Sequence, residues 1–373
     1  MMRRLLIIVI GLATLAIAAP ADNSNGFIFV PGSAGFPEAH ASTLVELKNG
    51  AMMAAWFGGT KEGADDVAIW GAVRRDGRWS RPQVLVREPH IPCWNPVLFH
   101  SATGRLWLYY KFGPKPSEWT AGRLYSDDEG VSWSAPEHLP AGLLGPIRAK
   151  PLLLGDGTIL AGSSVESYQS WAVWIERSAD NGATWQKIGP ITLPAASDIP
   201  DAGARAAAAE KGPIAHYVDS GIHTKLYPPT ETTIGIIQPT MIDLGNHHIR
   251  LYARAHTRSA RIVAANSFDD GRHWTQGHDI DLPNPNSGID AVRLRDGRIV
   301  MIYNNSYNRR NVLNLAVSRD GEHFRMFRTP EDGEGQFSYP AMIQARDGSL
   351  RMTYTYQRRT IKYLELPLSA VPE

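Results

Sequence analysis

The sequence predicts an all-β protein, specifically a six-bladed β-propeller built from four-stranded antiparallel blades. Three observations lead to this fold class: one turn sequence recurs along the chain, strand pairs recur at a nearly constant interval, and turn residues and aromatics are abundant. The 373 residues include 34 Gly, 26 Pro, 11 Trp and 13 Tyr, a composition that favours short strands and tight turns over long helices.

The recurring turn combines Ser, Asp, Gly and an aromatic residue at fixed spacing. Complete copies occupy residues 126–133, 178–185 and 267–274, and shorter copies occupy 318–324 and 75–79. We expect each copy to close a hairpin, because the Asp caps the turn and the Gly accepts a positive φ. The aromatic residue then returns the chain to the core.

A second pattern consists of a strand, a polar turn with glycine, and another strand. The residues just before its copies are His40, Trp94, Ile147, Ile237, Ser287 and Ser338. All but one of the intervals are about fifty residues, as in propeller blades, which argues against a β-sandwich with a second domain. The long interval predicts an inserted loop or short helix around 191–233. A strand within 26–31 is expected to complete the last blade and leave no free edge.

The N-terminal segment has the pattern of an export signal. Arg3 and Arg4 precede an apolar run over 5–17 and small residues up to Ala21, which predicts a signal peptide over 1–21. A lipid-anchored or uncleaved helix is the alternative interpretation. The mature chain, 22–373, is then a single propeller domain, secreted or periplasmic, with no membrane span after signal cleavage.

Charge and cysteine content exclude several classes of function. The chain carries 38 Lys+Arg against 37 Asp+Glu, so its net charge of +1 gives no reason to expect a nucleic-acid partner. Cys93 is the sole cysteine, so no internal disulfide can form, and no Cys/His spacing resembles a zinc site. We therefore expect no cofactor and no metal, and we expect a monomer.

The Ser-x-Asp-x-Gly-x-x-Trp turns resemble the Asp-boxes of sialidases and related bacterial-neuraminidase-repeat (BNR) propellers. The resemblance extends over nearly the whole mature chain, although Asp-boxes are structural turns on the outer hairpins and are not catalytic. It implies a propeller with a ligand site at one mouth of its central channel. It also implies an exo-α-sialidase type of glycosidase, which acts on a terminal acidic sugar.

The resemblance assigns roles to specific residues. Sialidases hold the substrate carboxylate with three arginines, and here Arg254 and Arg310 match two of them while His40 replaces the first. Tyr339 matches the nucleophilic tyrosine, which in the family is activated by a glutamate. Gln238 stands at that glutamate position, and because an amide cannot take the tyrosine proton, this departure weakens the sialidase mechanism.

Further candidates surround this predicted mouth. The acid/base group of the family lies in the loop over 57–66, where Glu62, Asp65 or Asp66 could fill the role. Sugar hydroxyls or ring faces could be bound by Asn95, Lys150, Asn286, Asp290 and Trp119. Each candidate also has a structural interpretation: a core aromatic for Tyr339, ion pairs between blades for the arginines, and turn caps for Asp65 and Asp66.

Three functions remain open at this stage, and all of them take an acidic sugar. The first is a retaining hydrolase in which Tyr339 attacks and Glu62 or Asp65 protonates the leaving group. The second is a uronate lyase in which His40 and Tyr339 act as base and acid while Arg254 neutralises the carboxylate. The third is a carbohydrate-binding propeller without turnover.

Overall fold

The computed structural model of the chain describes residues 26–194 and 234–373, which form an all-β structure with short 3₁₀ turns at Pro116–Glu118 and Leu368–Ala370. The predicted signal peptide lies outside the described residues, as does the predicted insertion beyond residue 194. Within the described residues, no helix has the length and apolar character needed to cross a membrane.

The strands form antiparallel units, four strands across, which we number 1 to 6 along the chain. The first strand, β1 (Gly26–Phe27), joins unit 6. Unit 1 contains β2 (Glu38–Glu46), β3 (Met52–Gly59), β4 (Ala68–Arg75) and, as edge pieces, β5 (Arg78–Trp79) and β6 (Gln83–Val86). Unit 2 contains β7 (Cys93–His100), β8 (Leu106–Phe112), β9 (Thr120–Ser126) and β10 (Glu137–His138). Unit 3 contains β11 (Leu152–Leu153), β12 (Ile159–Glu166), β13 (Trp171–Ser178) and β14 (Gln186–Ile191).

The remaining units follow the same order from first to fourth strand. Unit 4 contains β15 (Gly235–Gly245), β16 (His248–His256), β17 (Arg261–Ser267) and β18 (His278–Pro283). Unit 5 contains β19 (Asp290–Arg293), β20 (Ile299–Tyr303), β21 (Val312–Ser318) and β22 (Arg325–Asp332). Unit 6 contains β23 (Phe337–Gln344), β24 (Leu350–Tyr356), β25 (Thr360–Leu366) and β1. This repetition of four-stranded antiparallel sheets is the arrangement of a β-propeller.

The first strand of the described chain pairs with the last strand. Gly26 lies opposite Tyr363 and Phe27 opposite Lys362, and Ile28 N continues the pairing by donating to Ile361 O at 2.9 Å. The predicted completion of the last unit by the N-terminal strand is therefore present, although β1 is shorter than the predicted 26–31. Pairing the two ends of the chain covers an edge that would otherwise remain open.

Hydrogen bonds also join each unit to the next along the chain, and we call each contact surface between neighbouring units a seam. Ordered from the unit 1–2 seam to the unit 6–1 seam, they are Leu98 N to Thr43 Oγ1 (3.1 Å), Lys111 Nζ to Pro146 O, Gln238 N to Ser164 Oγ (3.3 Å), Thr240 Oγ1 to Asp290 Oδ1 (2.7 Å), Met342 N to Asp290 Oδ2 (2.8 Å), and His40 Nδ1 with Thr355 Oγ1 (2.9 Å). Apolar clusters fill the same seams, for example Ala55 of unit 1 with Leu108 of unit 2. Each unit thus buries its faces against its neighbours.

The recurring turns have the predicted capping geometry. In the copy at 126–133, Ser126 Oγ donates to Asp128 Oδ1 at 2.8 Å and accepts from Gly130 N at 2.7 Å, and Gly130 has a φ of 84°. Hydrogen bonds from Ser132 and Ser126 lower the pKa of Asp128 to about 2. The copy at 75–79 differs, because Asp76 and Gly77 both have positive φ and form a two-residue hairpin turn.

Lys111 is a cation buried at the seam between units 2 and 3, and it gives the protein a predicted pH dependence. Burial lowers its pKa from 10.5 to about 7. Between about pH 7 and about pH 9 the unfolded chain therefore binds more protons than the folded chain, so the free energy of unfolding should rise by about 1 kcal/mol per pH unit. Urea unfolding measures this slope, which Lys111→Met should remove. An equal slope in the variant would assign the effect to other groups.

Candidate functional site

A cavity of about 270 Å³ borders the first strands of units 2, 4 and 6 and the loop that follows β3 in unit 1. It brings together seven of the residues singled out in the sequence: Glu62, Asn95, Trp119, Gln238, Arg254, Asn286 and Tyr339. Among the other lining residues, sequence reasoning missed six with charged or aromatic side chains: Lys61, Trp94, Lys115, Glu166, Trp171 and His256. Ligand sites commonly combine aromatic surfaces with a few convergent polar groups in this way.

A repeated backbone irregularity aims side chains at the cavity. Ala41, Asn95, Gln238 and Tyr339 have positive φ values of 55°, 35°, 54° and 52°. Each occupies a register shift in the first hairpin of its unit, and proline follows Asn95, Gln238 and Tyr339. Such a bulge turns a side chain out of the regular alternation of the strand, and left-handed backbone at a non-glycine residue costs about 1–2 kcal/mol. Three of these four residues, Asn95, Gln238 and Tyr339, line the cavity, so the backbone strain is concentrated at the site.

The hydroxyl of Tyr339 lies at the centre of a hydrogen-bonded cluster. Arg254 Nη1 donates to Tyr339 Oη at 2.6 Å and to Gln238 Oε1 at 3.2 Å, and Gln238 Nε2 donates to Tyr339 Oη at 3.4 Å. Arg254 Nε donates to Asn286 Oδ1 at 2.7 Å. A guanidinium this close to the phenol oxygen stabilises negative charge that develops there.

Two further buried arginines lie against the Tyr339 ring. The guanidinium carbon of Arg148 is 5.4 Å from the ring centroid and that of Arg310 is 5.9 Å away, with exposed fractions of 2% and 6%. Arg310 donates to the Asn286 carbonyl and Arg148 to the Pro340 carbonyl. Together with Arg254 they concentrate positive charge in a poorly solvated region, which favours an anionic ligand. Arg148 was not predicted from the sequence.

His40 lies beside Tyr339 without lining the cavity. The two ring centroids are 4.1 Å apart, and the imidazole is 2% exposed. Burial, reinforced by the charges of Arg358, Arg310, Arg148 and Arg254, holds the pKa of His40 well below its usual range. The imidazole is therefore neutral at neutral pH.

The structure separates the acid/base candidates of the loop over 57–66. Glu62 lines the cavity and forms an ion pair with Arg358, whereas Asp65 lines a different surface depression. Asp66 accepts hydrogen bonds from Thr60 N at 3.0 Å and Thr60 Oγ1 at 2.7 Å, so it caps its turn. Of these carboxylates, Glu62 is the one positioned to reach a ligand in the cavity.

Lys150 and Asp290, which the sequence analysis names as substrate-binding candidates, pair with each other. Lys150 Nζ is 3.0 Å from both Asp290 carboxylate oxygens, and Asp290 also accepts from Thr240 Oγ1 and Met342 N. Neither residue lines the cavity. With these three donors within 3.0 Å, the Asp290 carboxylate is satisfied by contacts that link units 3, 4, 5 and 6.

Two tryptophans form one wall of the cavity. The ring centroids of Trp94 and Trp119 are 5.6 Å apart, and Trp94 Nε1 donates to Gly113 O at 2.8 Å, which fixes its orientation. Their neighbour Cys93 is buried, which raises the pKa of its thiol to about 12 and leaves it unreactive. This wall offers aromatic faces to a ligand in the cavity.

The repeated four-stranded sheets and a cavity over the strand starts together define a BNR-propeller type of protein with a sialidase-like fold. The chain belongs to the BNR repeat-like domain family, because residues 50–352 match the model of that family. No curated protein matches the chain in sequence.

Solved structures share the architecture at low sequence identity. A Dyadobacter fermentans protein of unknown function has a TM-score of 0.71 at 15% identity, with 92% of this chain and 98% of that chain covered. A variant of the NanB sialidase from Streptococcus pneumoniae has a TM-score of 0.67 at 13% identity, covering 95% and 72%. The intramolecular trans-sialidase of Ruminococcus gnavus, in complex with oseltamivir carboxylate, has a TM-score of 0.65 at 13% identity, covering 93% and 99%. At these identities the likeness concerns the fold.

Proposed function

We propose that the protein is a glycoside hydrolase that removes a terminal sugar bearing a carboxylate, such as a sialic acid, from glycans. The observation that carries this proposal is the Tyr339 hydroxyl, which lines a cavity and lies 2.6 Å from Arg254 Nη1. A phenol oxygen and a guanidinium thus lie in the same cavity, which supports attack by the first and carboxylate binding by the second. The sialidase-like fold is consistent with this chemistry.

In the proposed reaction, Arg254 binds the substrate carboxylate, with Arg310 and Arg148 adding positive charge behind Tyr339. The Tyr339 oxygen attacks the anomeric carbon and forms a covalent intermediate, and Glu62 protonates the leaving oxygen. Water then releases the sugar with retained configuration. Glu62 is held at the cavity by its ion pair with Arg358.

The size and walls of the cavity support terminal cleavage. A volume of about 270 Å³ accommodates one sugar residue more readily than an internal stretch of polysaccharide. Trp119 and Trp94 offer a stacking surface and Asn95 an amide for sugar hydroxyls. Trp94 also lies close to the loop that carries Glu62, because a Cβ built on Gly63 would be 3.4 Å from the Trp94 ring. We therefore assign the leaving group to this side of the cavity.

We also propose that units 1 to 6 are the blades of one closed six-bladed propeller. The hydrogen bonds across every seam and the pairing of β1 with β25 support closure. The proposed domain spans 22–373, in a monomer exported after cleavage of residues 1–21. N-terminal sequencing of the secreted protein and its sedimentation behaviour would test these points.

A uronate lyase is the second candidate, favoured by the neutral His40 beside Tyr339. In that reaction one of the two takes the proton next to the carboxylate while the other protonates the leaving oxygen. The burial of His40 outside the cavity lining counts against it, because a catalytic base must reach the substrate.

The experiment that separates these functions is incubation of the mature protein with sialosides and with uronate-containing oligosaccharides, at acidic and neutral pH. We expect release of the terminal acidic sugar without a rise in the ultraviolet absorbance of an unsaturated uronate. A rise in that absorbance would support the lyase and refute the hydrolase. If neither signal appears while the same oligosaccharides raise the Tm, the protein is a binding propeller.

A further inference from the structure

The proposed attack by Tyr339 needs an acceptor for its proton, and the groups beside its oxygen do not supply one. Arg254 Nη1 and Gln238 Nε2 both donate to Tyr339 Oη. A guanidinium has no acceptor, and an amide oxygen is too weak a base for a phenol proton. The candidate acceptors are therefore the carboxylates that line the cavity, Glu62 and Glu166.

Glu166 lies near this cluster, where units 3 and 4 pack against each other. Ser164 Oγ accepts a hydrogen bond from Gln238 N at 3.3 Å, so the Ser164 face of β12 adjoins the Gln238 bulge. Side chains two residues apart on a strand share a face, separated by about 7 Å. Glu166, the last residue of β12, therefore lies on the same face as Ser164, and it lines the cavity.

The neighbouring strand confirms the direction of this face. Trp171 lies directly opposite Glu166 in the β12–β13 pair, and both residues line the cavity. The guanidinium carbon of Arg254 is 5.8 Å from the Trp171 ring, and the same guanidinium donates to Tyr339 Oη. Glu166 thus lines the cavity from unit 3, beside the Gln238 bulge of unit 4, whereas Glu62 lines it from unit 1.

We propose that the Glu166 carboxylate accepts the Tyr339 hydroxyl proton, directly or through one water, as the tyrosine attacks the sugar. This inference rests on the proposed hydrolase function and supplies the base that Gln238 cannot be. Two carboxyl groups on different elements then have different tasks: Glu166 serves the nucleophile and Glu62 serves the leaving group.

The proton and electron balance closes over two steps. First, the Tyr339 oxygen bonds to the anomeric carbon and its proton passes to Glu166, while the leaving oxygen departs with the bonding pair and takes a proton from Glu62. Second, a water oxygen bonds to the anomeric carbon and gives a proton to Glu62. The bond from the carbon to Tyr339 breaks, and the tyrosine oxygen recovers its proton from Glu166. One water is consumed and both carboxyl groups are restored.

The test moves the carboxylate from one side of Tyr339 to the other, with released acidic sugar as the readout. Glu166→Gln should lower kcat by about 10²-fold to 10³-fold with little change in KM. Adding Gln238→Glu to that variant should raise kcat at least about tenfold, because the new carboxylate adjoins Tyr339 Oη. Gln238→Glu alone, with Glu166 still present, should gain much less, whereas a structural role of Glu166 predicts equal gains in both backgrounds. Glu137→Gln is the matched control, because Glu137 is an exposed residue paired with Arg123 outside the cavity.

The possible results distinguish a wrong role for Glu166 from a wrong hydrolase function. If the wild type releases sugar and Glu166→Gln keeps its kcat, or loses affinity alone, then Glu166 binds substrate at most and the inference is wrong. If the loss occurs but Gln238→Glu brings no recovery, the role as proton acceptor is refuted and a structural role remains. If the folded wild type binds the sugar without releasing it, the proposed hydrolase function itself is refuted, and this inference with it.

Discussion

Replacing Tyr339 with phenylalanine is expected to lower kcat for release of the terminal acidic sugar by at least about 10³-fold. The change removes the nucleophilic oxygen and keeps the ring, so the contacts with His40 and the arginines remain. Loss of a nucleophile commonly costs this much or more, because no neighbouring group can form the same covalent bond. Steady-state kinetics on a sialoside that the wild type cleaves would measure the loss.

Tyr303 provides a matched control for this substitution. It is also a buried tyrosine, its hydroxyl donates to Asn305 Oδ1 at 3.2 Å, and it lies outside the cavity lining. Tyr303→Phe removes an equivalent oxygen without touching the site, so kcat should stay unchanged. If Tyr339→Phe kept activity within about tenfold of the wild type, Tyr339 would not be the nucleophile.

The covalent intermediate gives an independent measurement. Wild-type protein quenched during turnover should gain the mass of one sugar, on the peptide that contains Tyr339. The phenylalanine variant should show no such adduct, although the same ligand should still raise its Tm, because the cations that bind the carboxylate remain. A sugar attached to a different residue would reassign the nucleophile.

The fold was accessible from the sequence because its signals are local. The turn at 126–133 carries its own caps: Ser126 and Asp128 bond to each other and to nearby backbone, and Gly130 takes the positive φ. Such turns need no distant partner, so they can be recognised one by one and counted along the chain. Where one departs from the pattern, at 75–79, a two-residue turn performs the same connection.

The bulge residues explain why part of the site was predictable. Gln238 and Tyr339 occupy the same position in the first hairpins of units 4 and 6, so aligning the repeats placed both at one mouth. The strain of their backbone was not visible in the sequence, although the proline after each is compatible with a bulge that leaves the ladder unpaired. The position of Gln238 and Tyr339 within the repeat thus predicted that they lie at one mouth. The bulge turns both side chains into the cavity.

The repeats do not specify how far along a strand a side chain lies or which partner it takes, so they do not determine which residues line the cavity. Lys150 and Asp290 stand near strand starts as Gln238 does, yet they pair with each other away from the cavity. Glu166 and Trp171 lie at the far end of the second strand and the start of the third, outside the aligned positions. Arg148 reaches Tyr339 from unit 3 across the structure, a contact between distant residues that no local pattern encodes.

Replacing Arg254 with alanine is expected to abolish the preference for a carboxylated substrate and to lower kcat/KM by about 10²-fold to 10³-fold. Arg254 is 4% exposed and lines the cavity, so a substrate carboxylate would meet it with little screening by solvent. Truncating one partner of a buried charge pair commonly costs about 2–5 kcal/mol. Lysine should restore part of the charge without the bidentate geometry.

Because Arg254 also donates to Tyr339 Oη, the rate alone would not isolate the effect on carboxylate binding. Comparing each substrate with an analogue whose carboxylate is reduced to an alcohol removes this ambiguity, since the tyrosine contributes equally to both. The wild type should favour the acid strongly, and Arg254→Ala should treat the two substrates nearly alike. Arg250 lies on the same strand but pairs with Glu322 at 2.8 Å, so Arg250→Lys should keep the preference. An Arg254→Ala variant that still discriminates as the wild type does would place the carboxylate on other cations.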